Sequence, residues 1–433
     1  MTRPKTSLFV LMVVAALLAA ALPALAQTGG DAELTFVPFV SREMGFESIV
    51  PDGWTQAAPG TFRRLNTADD LVMVVEQAAI GFGAEDVSLA LLQQLGLDSM
   101  PDPTTTVETD ALSWEVYRLE VEPPQIGTVV LYLALARNEY PVITHLVLAQ
   151  GTAEEATFLY ESLLLPVVEA FTPFSVNWGQ ADGPTPPPED FEAVRLRPEV
   201  LDTRPHDPTS FTQGLLYYDG SLYESDGNCC PSYSTYSTLR EVDPATGEVL
   251  RSIDLDPQYF AEGLERVGDQ LIQLTWQENT AFVYDIETFE QVSTFSYEGE
   301  GWGLCTDGDL LYMSDGTPFI TLRDPETFEV VDTGLVTFQG LPVENINELE
   351  CVGDLIYANI WQTDVIVQID KSNGEVVGVV DASDLLSDED KATITPGSDV
   401  LNGIVYLPES DTFLITGKHW PRMFEVRFVA IEE

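Results

Sequence analysis

Phe260-Ala261-Glu262-Gly263-Leu264 opens a stretch that passes a Gly268-Asp269 turn into Leu271-Ile272-Gln273-Leu274-Thr275-Trp276, then runs on to Asp285-Ile286-Glu287-Thr288. A Gly-Leu pair, a tight turn, an apolar strand and an Asp-initiated turn are the parts of an antiparallel meander. The pattern recurs. Its other anchors are Gly214-Leu215, Gly303-Leu304, Glu348-Leu349 and Gly403-Ile404, so the steps between the Leu or Ile positions are 49, 40, 45 and 55 residues. That spacing fits the ~40–50 residue period of propeller blades. The second turns also correspond: Asp243-Pro244-Ala245-Thr246-Gly247, Asp324-Pro325-Glu326-Thr327 and Asp370-Lys371-Ser372-Asn373-Gly374. The fifth repeat stops at Phe424–Val429, and the early strand Arg195–Leu201 is available to complete it and close a ring. Residues 193–433 are therefore expected to form an all-β five-bladed β-propeller.

In such a ring the innermost strands line one axis, so equivalent positions converge. The residues before the anchors are Gln213, Glu262, Trp302 and Asn402, with Asn347 before Glu348. Four polar groups and one indole at one channel mouth are unlike core packing, because converging buried polar groups are costly unless they bind something. Position alone also suits a hydrated channel. Trp276 and Trp361 fall at matching turns, and Lys418 in Thr416-Gly417-Lys418-His419 falls near their level. The expected pocket is walled by aromatics and holds one cation and one acid.

Working outward, residues 181–192 read Ala-Asp-Gly-Pro-Thr-Pro-Pro-Pro-Glu-Asp-Phe-Glu, a semi-rigid linker composition. Residues 27–180 ahead of it are expected to be a small α+β domain. It would have helices at Glu85–Leu95 and Ala153–Leu165, the second with a Thr152/Glu155 capping box, and strands at Leu112–Val121, Thr128–Ala136 and Pro141–Ala149. Gly45-Phe46-Glu47-Ser48-Ile49-Val50-Pro51-Asp52-Gly53-Trp54 resembles the opening of PsbP/Mog1-like domains, with Trp54 taken as packing. Residues 1–26 have Arg3 and Lys5, an apolar run Leu8–Leu22 and Ala24-Leu25-Ala26, the pattern of a cleavable signal peptide. The chain is thus expected to be secreted, with no stable membrane span after cleavage.

Of the 433 residues, 19 are Lys or Arg and 71 Asp or Glu, a net charge of −52 that makes nucleic acid an implausible partner. Cys305 and Cys351 lie at different offsets from Gly308-Asp309 and Gly353-Asp354; strand alternation then puts them on opposite faces as unpaired, buried hydrophobes. Adjacent Cys229 and Cys230 fit a vicinal disulfide, a bond to another chain or free thiols.

A resemblance adds to this reading. His206-Asp207-Pro208, Phe211-Thr212-Gln213-Gly214-Leu215, Phe260-Ala261-Glu262-Gly263-Leu264, Leu274-Thr275-Trp276, Gly301-Trp302-Gly303-Leu304, Asn347-Glu348-Leu349-Glu350, Asn359-Ile360-Trp361, Leu401-Asn402-Gly403-Ile404 and Thr416-Gly417-Lys418-His419-Trp420-Pro421 resemble the plant-type glutaminyl-peptide cyclotransferases. That family's fold is a five-bladed propeller. The resemblance implies cyclisation of N-terminal glutamine on peptides or proteins, with release of ammonia. It implies Glu262 as catalytic acid/base with Asn347 and Lys418 beside it, and Phe211, Gln213, Phe260, Trp276, Trp302 and Trp361 shaping the substrate pocket; Asn402, from its place in the ring, joins them. The insertion Asn228-Cys229-Cys230-Pro231 departs from the family pattern and puts rim specificity in doubt.

Three histidines, His145, His206 and His419, are too few and too scattered for a His-based zinc site or a Ser-His-Asp triad. No cofactor is expected to be required, although the channel would accommodate a structural divalent cation. Two alternatives remain from residues alone. A calcium-dependent, lactonase-like propeller would use Glu262, Asn347 and Asn402 as ligands but leave the tryptophans and Lys418 without a purpose. A non-catalytic propeller would bind peptide termini through the same aromatics.

Overall fold

The computed structural model describes residues 34–431 except 66–69, 98, 124–125, 139–140, 182, 189–190 and 228–235. The signal segment and the Cys229-Cys230 pair lie outside the described residues. The chain is mostly β and divides into two compact units, Met1–Phe174 and Ser175–Glu433.

In the first unit, seven antiparallel strands lie in the order Thr55–Ala58, Thr61–Arg63, Met73–Ile80, Ile143–Thr152, Val129–Asn138, Ser113–Val121 and Thr105–Glu108. The expected meander is present, with strand ends shifted by up to three residues. One face takes the helix Ala84–Leu95, which buries Val87 and Leu91 against Leu131, Leu133 and Leu148. The second expected helix is broken into a 3₁₀ turn at Ala153–Glu155, a π-helical segment at Phe158–Leu164 and an α-helix at Leu165–Ala170. Pro166 lacks a donor and would clash in a regular turn, which accounts for the widened turn before it. The capping box forms: Glu155 Oε2 accepts from the Thr152 backbone N–H at 3.1 Å and from the Thr152 hydroxyl at 2.9 Å.

Glu76 and His145 are sealed in this unit, Glu76 with the Ser48 hydroxyl beside its carboxyl and His145 with neither ring nitrogen hydrogen-bonded among the described residues. Burial pushes the Glu76 carboxyl up to about 8 and the His145 imidazole down to about 4. A raised carboxyl favours folding most below its unfolded value near 4.5, and that contribution is lost as pH climbs to about 8. His145 acts in the opposite sense, and only below about 6.5. Between pH 6.5 and 8, Glu76→Gln is therefore expected to gain on the wild type by about 2 kcal/mol in unfolding free energy. Denaturant melts of both proteins across that window check this; a gap that does not change with pH would contradict it.

The second unit contains three four-stranded antiparallel sheets in chain order, beginning with Thr212–Tyr218, Ala261–Val267 and Leu304–Thr306. An eight-stranded sheet follows, in the order Ile346–Val352, Leu355–Ile360, Val365–Asp370, Val376–Asp381, Val194–Pro205, Arg422–Ala430, Thr412–Gly417 and Leu401–Leu407. Val194–Pro205 pairs antiparallel with Arg422–Ala430 nearly along its whole length, as expected for the early strand. The strands beginning at Thr212, Ala261, Leu304, Ile346 and Leu401 lie against one another in that order, and the last returns to the first. The Asp-initiated turns form as read: Asp243, Asp285, Asp324 and Asp370 each accept from N–H groups two or three residues on.

Glycine at the anchors has a steric cause. A Cβ on Gly214 would sit 2.5 Å from Leu264 N, one on Gly263 2.6 Å from Trp302 O, and one on Gly303 2.1 Å from Asn347 O. Neighbouring first strands approach too closely there for any side chain. Glu348 departs from the pattern and spans the ring instead, its carboxylate accepting from Leu215 N at 3.3 Å and Ile404 N at 2.9 Å.

The cysteine expectation is corrected: Cys305 and Cys351 form a disulfide, with Cα atoms 5.5 Å apart. Counting from the Gly-Asp turns set the wrong phase because the two hairpin loops differ in length. One hairpin's last pair is Thr306↔Leu311 and the other's Val352↔Leu355, so each cysteine is one residue before its own last pair. They occupy equivalent positions on adjacent strands.

Candidate active site

Backbone irregularity aims the site residues. Ladder register shifts between Thr212 and Gly214, Ala261 and Leu264, Ile346 and Leu349, and Leu401 and Ile404. These bulges fall on Gln213, Glu262, Asn347 and Asn402. A bulge leaves its extra residue out of the ladder and re-aims its side chain.

Three of the expected residues form one chain of contacts. Gln213 Nε2 donates to Glu262 Oε1 at 3.1 Å, and Lys418 Nζ donates to Gln213 Oε1. All three are buried. The Lys418 ammonium also lies 4.6 Å from the centre of the Phe211 ring, a cation–π contact. Phe211 and Gln213 are held in turn: Phe211 N–H donates to Asp226 Oδ1 at 2.5 Å, and the Ser210 and Thr212 hydroxyls donate to Glu224 Oε1 at 2.6 and 2.7 Å. His206 lies between Trp420 O and Glu224, and His419 against Asp399.

Burial raises the Glu262 carboxyl well above its usual range; Lys418 opposes that shift, and Glu300 and Glu278 reinforce it. Burial lowers Lys418 to about 8 against the pull of Glu262. A carboxyl whose affinity for its proton is raised, close to a lysine whose hold on its own proton is weakened, is suited to proton transfer.

The aromatic residues form two strings. Phe211 and Phe260 meet edge to face at 6.3 Å, and Phe260 meets Trp276 at 5.9 Å. Trp302 and Trp361 meet edge to face at 5.5 Å. Asn347 Oδ1 is buried without a partner, and among the described residues no hydrogen bond joins its side chain to the Glu262 set. Asn402 donates to the Thr212 carbonyl at 2.9 Å, tying two first strands together, while its own Oδ1 is also without a partner. Glu300 and Glu278 were missed in the sequence reading. Their signal was an acid two residues from a pocket tryptophan: Glu300 before Trp302, Glu278 after Trp276. Among the described residues no three His, Cys, Asp or Glu side chains gather as a metal site.

Comparisons with known proteins agree with the motifs. The model of a family described as glutamine cyclotransferase matches residues 178–428. A protein of Arabidopsis thaliana named glutaminyl-peptide cyclotransferase is 35% identical over 298 residues, which cover 68% of this chain and 85% of the relative. The crystal structure of Myxococcus xanthus glutaminyl cyclase is 39% identical with a TM-score of 0.52, covering 56% of this chain and all of the other.

Proposed function

The chain belongs to the glutamine cyclotransferase family, and from that premise we propose how its residues close an N-terminal glutamine of a peptide into pyroglutamate with release of ammonia. The Gln213–Glu262–Lys418 chain of contacts carries the proposal. The glutamine side chain lies among the pocket aromatics, which favour a flat amide and, before it loses its proton, the α-ammonium. Glu262 as carboxylate takes a proton from the α-nitrogen as that atom attacks the side-chain carbonyl carbon. The new C–N bond places negative charge on the carbonyl oxygen, which Lys418 or Asn347 stabilises. Glu262 then gives the proton to the amide nitrogen, the old C–N bond breaks, and ammonia leaves as the lactam carbonyl re-forms. Nucleophile and electrophile belong to one residue, so the enzyme mainly orients them and moves protons, and no cofactor is required. A structural divalent cation elsewhere in the channel is compatible with this scheme.

We read the second unit as a five-bladed propeller, supported by the closed order of its first strands and by the pairing of Val194–Pro205 with Arg422–Ala430. Export is supported by the signal-like residues 1–26 and by the Cys305–Cys351 disulfide, which suits an oxidising compartment. No helix among the described residues is long and apolar enough to cross a bilayer.

Purified, chelator-treated protein is expected to release ammonia from a Gln-initiated dipeptide and leave the pyroglutamyl product, measured by coupled ammonia assay and mass spectrometry. Turnover only with added calcium on a lactone, or dipeptide binding without turnover, would overturn the reading.

A further inference from the structure

Glu300 lies in the turn Glu298-Gly299-Glu300-Gly301 that precedes Trp302. Its Oε2 accepts from two indoles, Trp276 Nε1 at 2.7 Å and Trp302 Nε1 at 2.9 Å, and its Oε1 accepts from Gln277 Nε2 at 2.7 Å. Three donors converge on one carboxylate. A carboxyl group has acceptor sites for all three, whereas a glutamine in its place would turn its own N–H₂ toward one of them.

The two indoles belong to the separate aromatic strings, Phe211–Phe260–Trp276 and Trp302–Trp361. Glu300 is the polar link between them. Trp276 needs that link most: it is 38% exposed, so packing on Phe260 holds only part of the ring. A large, half-solvated ring at a pocket mouth otherwise keeps its rotamer freedom, and binding would have to remove it.

We propose that Glu300 is a positioning residue that clamps Trp276 and Trp302 as paired walls for the substrate glutamine, an inference that rests on the pocket being the glutamine site. Gln213 acts on Glu262 by hydrogen bond, and Lys418, Glu300 and Glu278 act on it by charge. Glu300 is thus also a negative charge beside the proton carrier, and removing it weakens the hold of Glu262 on its proton.

The test uses the full chain with Glu300→Ala, Glu300→Gln, Trp276→Phe and the Glu300→Ala/Trp276→Phe pair, assayed on a Gln dipeptide across pH. Glu300→Ala is expected to raise KM about tenfold, the typical worth of charge-assisted hydrogen bonds, with a smaller loss in kcat. Glu300→Gln falls between it and wild type in KM. In both, the acidic limb of kcat/KM moves to lower pH, a change that a purely structural role would not produce. Trp276→Phe keeps an aromatic ring and the charge of Glu300 but loses the indole N–H and part of the wall, so KM rises while the limb stays in place. The double variant is expected to be little worse in KM than Glu300→Ala alone, because both changes break the same bond. Strictly multiplicative effects, or an unmoved KM and limb in Glu300→Ala, would overturn the clamp. Two readouts separate the readings: wild type that releases no ammonia defeats the glutamine site itself, whereas a substrate-free near-UV circular dichroism spectrum unchanged in Glu300→Ala defeats the clamp alone.

Discussion

Glu262→Gln is expected to slow ammonia release from a Gln dipeptide by about 10²–10⁴, the usual contribution of a positioned acid/base, while the thermal midpoint stays level or rises. The substitution keeps side-chain length and shape, and the new amide can still bond to Gln213, so packing at the bulge after Ala261 is preserved. What disappears is the exchangeable proton. Removing a fully buried ionisable group also removes its desolvation cost, which is why stability should not fall. Single-turnover ammonia release and melting curves on the same samples provide the check. Activity within tenfold of wild type would mean that another group moves the proton.

Lys418→Met is the second large effect. Lys418 opposes the effect of burial on the Glu262 carboxyl, and it donates to Gln213, which positions that carboxyl. Without it, Glu262 holds its proton still more tightly and the developing oxyanion loses a charged partner. We expect kcat/KM at neutral pH to fall about 10²-fold, the order seen on removing one oxyanion donor. The pH profile should change shape as well. In the wild type, activity is expected to decline above pH ~8 as Lys418, lowered to about 8 by burial, loses its proton. In the variant that alkaline decline disappears, and the acidic limb moves to higher pH because Glu262 ionises later. A profile between pH 5 and 10 that keeps the wild-type shape contradicts the assignment.

The repeat was legible because its cause is steric and recurs. Where first strands meet at Gly214, Gly263 and Gly303, no Cβ fits, so the Gly-Leu signal returns after 49 and then 40 residues and carries the preceding site residue with it. Gln213 and Glu262 follow from that regularity, while Lys418 was reached from the level of the Trp276 and Trp361 turns, and the three meet in one chain of contacts. Contacts depending on loop length were not legible. Cys305 and Cys351 were misphased because one hairpin loop is longer than the other, although both cysteines hold the same place in their strands. Glu300 was hidden because its partners, Trp276, Gln277 and Trp302, come from two different turns, and nothing in its own segment marks an acceptor of three bonds. Glu348 likewise looked like a blemish in the anchor pattern, and only the fold shows it reaching Leu215 and Ile404 across the ring.

The most direct measurement is a crystal structure of Glu262→Gln soaked with a Gln-initiated dipeptide, which that variant should hold unreacted. The predicted result places the glutamine side chain between Trp276 and Trp302, with its α-nitrogen at hydrogen-bond distance from the substituted side chain and its amide oxygen facing Lys418 or Asn347. A dipeptide seated away from Gln213, residue 262 and Lys418 would contradict the proposed chemistry.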